Sequence, residues 1–159
     1  MFAIQLTTID NLNPKPSRIT SLGLANEHEQ ALLLVGSDDG IVRLWSHCHN
    51  PAETQLRTGF NALSGLECGK RGPGLVVHWR QTDGLLVAAG DVSTIRVWDL
   101  NHELAREDIS ISSSVTCMAA VPTMPAIVAV GLVDGGIQFF DLRVPLRFAS
   151  TCMHAFHLL

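Results

Sequence analysis

The chain has few charged residues and no long apolar run, and each shortage excludes a class of protein. Asp, Glu, Lys and Arg make up only 16% of the 159 residues, and the formal net charge is −4. Because Lys and Arg are scattered, the sequence predicts no binding to nucleic acid through phosphate neutralisation. No apolar run approaches the roughly 18–20 residues that a membrane-spanning helix needs, so no membrane insertion is expected. The hydrophobic fraction, 47%, instead predicts a sizeable core and apolar surface that another unit should cover.

The cysteines are too far apart in the sequence for a disulfide scaffold. They are Cys48, Cys68, Cys117 and Cys152. Cys117 falls in an apolar strand pattern and is predicted to be a buried free thiol. Since free thiols fit a reducing compartment, the expected location of the chain is cytoplasmic.

The chain does contain a repeat. Similar strand sequences, IVRLW at 41–45, IRVWD at 95–99 and IQFFD at 137–141, each follow a tight turn rich in Gly and Asp. Their aromatic residue recurs after 53 and then 42 residues, at Trp45, Trp98 and Phe140. A period of about 40–45 residues with four short strands per unit is the signature of a WD40 β-propeller blade. The sequence therefore predicts an all-β fold, a WD40 propeller fragment of about three four-stranded blades in which the ring is incomplete.

The repeat divides the chain into segments. Residues 19–63, 75–112 and 113–152 are predicted to be the blades, the last with an outer strand at 147–152. Residues 1–18 are predicted to be an N-terminal loop or a leftover outer strand, and residues 153–159 a tail. Between the first two blades lies a Gly-rich insertion, residues 64–74, in which four glycines and one proline exclude a stable strand or helix.

Alternation along a strand gives the repeated pattern a physical meaning, because successive side chains point to opposite faces. Ile95 and Val97 are predicted to share one face, and Arg96 and Trp98 the other. A blade between two neighbours needs apolar groups on both faces, and Trp supplies a large area. Arg96, like Arg43 at the same repeat position, is expected either to contact a partner or to lay its stem on the neighbouring blade and keep its charged end in water.

Three blades do not close a propeller, since known rings use about four to eight. The chain is therefore expected to be a truncated product, a fragment, or a piece completed by another chain. Blades without neighbours expose apolar faces and unpaired strand edges, which predicts self-association.

The sequence resembles one family of WD40 proteins in particular. Its segments LLL at 32–34, DDG at 38–40 and VRLW at 42–45 resemble the C-terminal propeller of the raptor family, the regulatory-associated proteins of the TOR kinase. The segment GDV at 90–92, followed by IRVWD at 95–99, agrees as well. The Gly-rich insertion is the specific element, since generic WD40 repeats do not carry one. The resemblance covers roughly residues 16–147.

The resemblance implies a non-catalytic scaffold, a truncated raptor-like subunit of TOR complex 1 in nutrient and growth signalling, without a cofactor. It implies the TOR kinase and other components of that complex as partners, which would recruit the chain from the cytoplasm to the lysosomal surface. Lys70 and Arg71, in the insertion, are the predicted partner contacts. Structural repeat positions are predicted at Ser37, Asp39, Trp45, Trp79, Trp98, Asp99, Asp134, Phe140 and Asp141.

Few residues form a pattern that could carry chemistry. At Asp38, Asp39 and Asp134 the expected arrangement is a tight turn in which Asp hydrogen-bonds its own backbone. The His-Cys-His run at 47–49 and the set of Cys and His at 152, 154 and 157 lack the ligand spacing of structural zinc sites, so no metal is expected. Cys68 is the cysteine to test for reactivity, because the neighbouring cations would lower its thiol pKa. The alternative is that Cys68 is an exposed loop thiol without a role.

Other functions stay open on the sequence alone. A WD40 adaptor of another pathway, binding a peptide motif across the propeller, would carry the same repeats, and so would a truncated product without function. An enzyme would need a converging nucleophile and base, for which the sequence offers no candidate, so no enzyme is expected.

Overall fold

Every regular element that the structure describes is a β-strand. The computed structural model describes residues 17–26, 29–50, 52–66, 72–121 and 123–143. Its strands form three antiparallel sheets that follow one another along the chain and do not close into a ring. The predicted all-β, incomplete WD40 propeller is therefore confirmed. Within these ranges no helix is long and apolar enough to cross a membrane.

Each sheet is one blade, and its strands pair in chain order. Blade 1 contains β1 (Ile19–Ala25), β2 (Leu32–Ser37), β3 (Ile41–Ser46) and β4 (Gln55–Asn61). Blade 2 contains β5 (Leu75–Arg80), β6 (Leu85–Gly90), β7 (Thr94–Asp99) and β8 (Leu104–Ser110). Blade 3 contains β9 (Val115–Val121), β10 (Met124–Leu132) and β11 (Ile137–Asp141). The outer strand predicted at 147–152, residues 1–16 of the predicted N-terminal segment 1–18, and the predicted tail 153–159 lie outside the described residues.

Two hydrophobic cores lie between successive blades, and strand β6 contributes to both. Leu86 and Ala88 face blade 1, whereas Val87 faces blade 3, and all six residues of β6 are buried. This burial on both faces explains why the central strand reads as a continuous apolar run instead of an alternating one. Trp98 packs in the core toward blade 1 and Val97 in the core toward blade 3, as the alternation of the third strand predicts.

The outward side of blade 3 is apolar and exposed. Ile137 and Phe139 are 52% and 53% exposed, although Ile95 and Val97, at the same repeat positions of blade 2, are 1% and 3% exposed. Cys117 lies on this side as well. Gly131 of β10 pairs with Ile137 of β11 on one side and with Cys117 of β9 on the other, and residues that are paired across strands share a face. The prediction of a buried Cys117 thiol is wrong, because the residue is exposed on a face that no described blade covers. We call Cys117, Ala119, Ile137 and Phe139 the blade-3 open face.

Blade 1 has a corresponding apolar side that points away from blade 2. The Ser21 hydroxyl donates to the Val77 carbonyl of blade 2, so alternation turns Leu22 and Leu24 the other way. Leu22 and Leu24 are 64% and 56% exposed, and Leu24 pairs with Leu33 across the sheet. We call Leu22, Leu24 and Leu33 the blade-1 open face.

Candidate interaction surface

Two polar side chains of strand β7 in blade 2 form hydrogen bonds to the chain at the end of blade 1. The indole Nε1 of Trp98 donates to the carbonyl oxygen of Ala62 at 2.9 Å. The Nη1 group of Arg96 donates to the carbonyl oxygen of Ser64 at 2.6 Å. Both acceptors lie just after strand β4, where the Gly-rich insertion begins. The start of the insertion is therefore held against the second blade.

Arg96 also forms a two-point ion pair within its own blade. Its Nε and Nη2 groups each donate to the Asp108 carboxylate at 2.7 Å, and Asp108 lies directly opposite Arg96 across the β7–β8 pair. These hydrogen bonds lower the pKa of Asp108 and raise the pKa of Arg96. The expectation that Arg96 keeps its charged end in water is wrong, because the residue is only 9% exposed and its guanidinium has protein acceptors.

The other end of the insertion is held by Asp91, on the turn after strand β6. The backbone N–H groups of Gly72 and Gly74 donate to the same carboxylate oxygen of Asp91, at 3.0 and 3.2 Å. The backbone N–H of Asp91 in turn donates to the Gly74 carbonyl oxygen at 3.2 Å. Arg18, at the start of blade 1, adds a hydrogen bond from Nη2 to the Gly72 carbonyl oxygen at 3.1 Å.

Glycine is required at the point of closest approach between this segment and blade 2. Gly90 has φ of 146°, a value that other residues rarely adopt, and a Cβ atom there would overlap the carbonyl oxygen of Gly74. A Cβ atom on Gly72 would overlap the Asp91 carboxylate. The spacing of glycines around the insertion therefore reflects tight backbone contact and not only a flexible loop. We call Ala62, Ser64, Gly72, Gly74 and Asp91 the insertion anchor.

The predicted partner contacts Lys70 and Arg71 lie in the segment 67–71, outside the described residues. Their role stays a prediction. Both ends of the segment are nevertheless placed, since the insertion anchor fixes residues 62–64 and 72–74 at the junction of blades 1 and 2. The reactive thiol considered at Cys68 lies in the same segment.

The turns that precede the third strands contain the predicted Asp residues. The Asp39 carboxylate accepts a hydrogen bond from the backbone N–H of Ile41 at 3.0 Å, and Asp134 accepts one from Gly136 at 2.9 Å. This is the local turn geometry that the sequence predicts for these two positions. Asp38 differs, because its carboxylate accepts from the backbone N–H of Arg18 at 2.8 Å, a residue 20 positions earlier.

The repeat positions of blade 1 are joined by Arg43. Its Nη1 group donates to the Ser37 hydroxyl at 3.1 Å, and its Nη2 group forms an ion pair with Asp39 at 2.9 Å. The guanidinium is therefore satisfied inside one blade, unlike that of Arg96, which links two.

Each aromatic repeat position is either buried or packed against one of the two cores. Trp45 is 7% exposed, and Phe140 packs against the core between blades 2 and 3. Trp79 packs against the core between blades 1 and 2, but its buried Nε1 has no hydrogen-bond partner among the described residues. Trp98 stacks edge to face on Phe60 with ring centroids 5.2 Å apart.

Asp99 and Asp141 end the third strands of blades 2 and 3, at the opposite end from the insertion anchor. The Asp99 carboxylate is 2.9 Å from Nδ1 of His102, and this hydrogen bond lowers the pKa of Asp99. Hydrogen bonds from Arg143 lower the pKa of Asp141 to about 2. Both carboxylates are therefore ionised near neutral pH and engaged by residues of their own turns.

No metal centre is formed in the part of the chain that the structure describes. His47 and His49 flank Cys48 with ring centroids 6.4 Å apart, and Nδ1 of His47 lies 3.2 Å from the Ser46 hydroxyl. Among the described residues, no three His, Cys, Asp or Glu side chains are grouped as metal ligands. The second predicted set, at 152, 154 and 157, lies outside the described residues.

Three residues of this surface were missed by the sequence analysis. Asp91, Ser64 and Asp108 received no role, although Asp91 follows a Gly in the turn after β6 as Asp38 follows Ser37 after β2. Because Asp38 binds the backbone just before β1, this parallel could have indicated that Asp91 binds the backbone just before β5. The carbonyl of Ser64 acts through the backbone, for which a sequence gives no signal.

Known proteins with similar sequence and structure exist. The chain is 35% identical over 145 residues to the regulatory-associated protein of TOR 1 of Arabidopsis thaliana, covering 90% of this chain and 11% of that protein. It is 34% identical over 137 residues to the target of rapamycin complex 1 subunit mip1 of Schizosaccharomyces pombe, covering 85% and 10%. The crystal structure of Chaetomium thermophilum Raptor matches with a TM-score of 0.75 and 31% identity, covering 86% of this chain and 12% of that one. No protein-family model matches the chain.

The three open blades define the chain as part of a WD40 β-propeller. More particularly, the chain is raptor-like, since its similarity to the raptor-type proteins extends over about nine-tenths of its length. The chain spans about a tenth of the length of the curated relatives that it matches.

Proposed function

We propose that this chain is a non-catalytic scaffold segment of a TOR complex 1 subunit, which acts in nutrient and growth signalling. The observation that carries the proposal is the similarity, at 32–35% identity, to proteins named as regulatory-associated proteins of TOR or as subunits of target of rapamycin complex 1. The partners of the proposal are the TOR kinase and the other components of that complex.

The mechanism of the proposal is surface contact at the junction of blades 1 and 2. The insertion anchor supports it, because hydrogen bonds donated by Arg96 and Trp98 and one accepted by the Asp91 carboxylate hold both ends of the insertion against packed blades. A segment whose ends are fixed loses less conformational entropy on binding than one that is free. Lys70 and Arg71, between these ends, would supply positive charge to an acidic partner surface and so favour encounter.

The proposal places the chain in the cytoplasm, with recruitment to the lysosomal surface through its complex partners. Microscopy of a tagged chain in fed and starved cells tests this part separately. A signal that stays diffuse in both conditions would contradict the recruitment.

The function is tested by recovering an epitope-tagged chain from cells and quantifying the TOR kinase that accompanies it. Two charge-reversal variants form a matched pair. Arg71→Glu changes the insertion, and Arg106→Glu changes an exposed position on strand β8 that is not part of the insertion. Recovery of the kinase should fall several-fold for Arg71→Glu and stay at the wild-type level for Arg106→Glu.

The two parts of the proposal fail differently. Recovery of the wild-type chain without TOR kinase or any other component of its complex would contradict the scaffold function. Recovery of the kinase at equal levels with both variants would keep the scaffold function and overturn the role of the insertion.

A further inference from the structure

We infer that Asp108, on the terminal strand of the blade-2 sheet, is a positioning residue for the insertion. Its carboxylate orients the guanidinium of Arg96, and Arg96 in turn holds the carbonyl of Ser64, where the insertion begins. The inference rests on the proposed function, because it takes the insertion to be the partner contact. Part of the control over that contact then belongs to a residue of strand β8, outside the insertion.

The two-point ion pair fixes the direction of the Arg96 guanidinium. Nε and Nη2 each donate to one oxygen of Asp108 at 2.7 Å, and a planar guanidinium held along one edge in this way has a set orientation. The remaining nitrogen, Nη1, donates to the Ser64 carbonyl oxygen at 2.6 Å. The place of this donor therefore depends on the Asp108 carboxylate.

Arg96 needs this support more than Trp98, the other side chain of β7 that binds the start of the insertion. The Trp98 indole donates to the Ala62 carbonyl from a ring that packs against the core and stacks on Phe60. Arg96 reaches its acceptor through a flexible stem, which loses rotamer freedom when the guanidinium is held. Packing therefore orients the Trp98 donor, whereas the Asp108 carboxylate orients the Arg96 donor.

The peptide that Arg96 binds lies on an exposed turn. Ser64 is exposed, and the next residue, Gly65, has φ of 78° and nothing within 4 Å of the place where a Cβ atom would lie. Leu66 then packs against the core between blades 1 and 2. The bond from Arg96 thus fixes a peptide that packing leaves open on the Gly65 side.

Loss of the Asp108 charge should release this peptide. The Arg96 side chain is only 11% exposed, and a buried cation without its anion is costly. The guanidinium would therefore turn toward water, and the Ser64 carbonyl would accept from water as well. The start of the insertion would sample more orientations, so that binding a partner would cost more conformational entropy.

The positioning is tested first without a partner, by the rate at which trypsin cuts the insertion of the tagged chain after Lys70 or Arg71. Mass spectrometry quantifies the fragments. Asp108→Asn exchanges an acceptor oxygen for a donor group and breaks the two-point pair, so this cleavage should become several-fold faster. Asp108→Glu keeps the charge and should be cut at nearly the wild-type rate.

Two control variants separate positioning from a general loss of stability. Arg43→Met removes an ion pair at the same repeat position of blade 1, where the guanidinium binds Ser37 and Asp39 instead of the insertion. Glu103→Gln removes an exposed carboxylate directly before strand β8. Both should leave the cleavage rate of the insertion near that of the wild type. Urea denaturation of every variant gives its loss of stability for comparison.

The link to the partner is tested by recovering the TOR kinase with the same variants. Recovery should fall several-fold for Asp108→Asn, although Asp108 is not part of the insertion. It should stay at the wild-type level for Asp108→Glu, Arg43→Met and Glu103→Gln.

The inference and the proposed function fail differently. Equal cleavage rates for Asp108→Asn and the wild type, or equally increased rates for Asp108→Asn and Arg43→Met, would overturn the positioning role, whatever the kinase does. Faster cleavage of Asp108→Asn with unchanged recovery of the kinase would overturn its link to the partner. A wild-type chain recovered without any component of the complex would contradict the proposed function, and the cleavage rates would still decide whether Asp108 positions the insertion.

Discussion

Asp91 and Gly74 hold each other through two hydrogen bonds of opposite direction. The Asp91 carboxylate accepts from the Gly74 N–H at 3.2 Å, and the Gly74 carbonyl oxygen accepts from the Asp91 N–H at 3.2 Å. The same carboxylate oxygen also accepts from Gly72. This reciprocal contact joins the turn after β6 to the strand that opens the same blade, and it makes the carboxylate the main support of the insertion's second end.

Replacing Asp91 should therefore destabilise the chain. Asp91→Ala removes the acceptor of two backbone N–H groups, and hydrogen bonds to a charged acceptor contribute about 1.5–3 kcal/mol each. Because Asp91 is partly exposed and water can replace part of the lost bonding, we expect the free energy of unfolding to fall by about 2–3 kcal/mol, less than the sum of the two bonds, measured by urea denaturation. Asp91→Asn keeps an oxygen acceptor without the charge and should lose less. Equal losses for the two variants would contradict a charge-assisted anchor.

Gly90→Ala should be among the most damaging single changes in blade 2. The added Cβ has no room beside the Gly74 carbonyl, and the φ angle of 146° adds backbone strain of about 1–3 kcal/mol. Gly135→Ala is the matched control, because Gly135 also has positive φ, 87°, but has nothing within 4 Å of an added Cβ. We expect Gly135→Ala to cost about 1–2 kcal/mol and Gly90→Ala clearly more. Thermal denaturation of both variants provides the comparison.

Arg96 and Arg43 occupy one repeat position but should differ in their contribution to stability. Arg96→Met removes the Asp108 ion pair and the contact to the Ser64 carbonyl that links blades 1 and 2. Arg43→Met removes contacts within blade 1 only. We expect the free energy of unfolding to fall by about 2 kcal/mol for Arg96→Met and by about 1 kcal/mol for Arg43→Met. The loss at Arg96 is no larger because Asp108 is partly exposed and can regain water. A larger loss for Arg43→Met in chemical denaturation would contradict the inter-blade role of Arg96.

His78 should make stability depend on pH. Burial lowers the pKa of this half-buried imidazole, and the nearby charge of Arg80 lowers it further. The unfolded chain therefore binds the proton more readily than the folded chain. The contribution of neutral His78 to the free energy of unfolding is fully present above about pH 6.5, and it is lost as the pH falls through the pKa of the folded state. In urea denaturation at pH 7.5 and 5.5, His78→Gln should lose less stability on acidification than the wild type. An equal loss in both proteins would exclude His78 as a source.

The sequence predicts the blades well because their determinants are local. The tight turns at Asp39 and Asp134 depend on residues two positions apart, and alternation alone assigns the faces of Val97 and Trp98. These features recur with the repeat, so that three copies of one pattern reinforce each other. The fold class and the paired strands of each blade follow from them.

The features that the sequence does not predict are contacts between distant segments. Arg96 meets Asp108 because of the register between β7 and β8, which has a shift between Val97 and Trp98. Cys117 is exposed on a face that no described blade covers, which an apolar strand pattern does not reveal. The partner of Asp91 is a pair of backbone groups in an insertion that precedes its strand by many residues. Such contacts depend on strand register and on blade order more than on residue type.

Because both ends of the insertion are held by hydrogen bonds, the length of the segment between them can change without moving blades 1 and 2. Since the entropy of closing a loop rises by only about 0.6 kcal/mol for each doubling of its length, residues added between positions 66 and 72 would cost little. A tag of about ten residues could be inserted there without disturbing the joint between the blades. In evolutionary terms, this is a position where the chain can lengthen, shorten or change its sequence while the propeller around it stays the same.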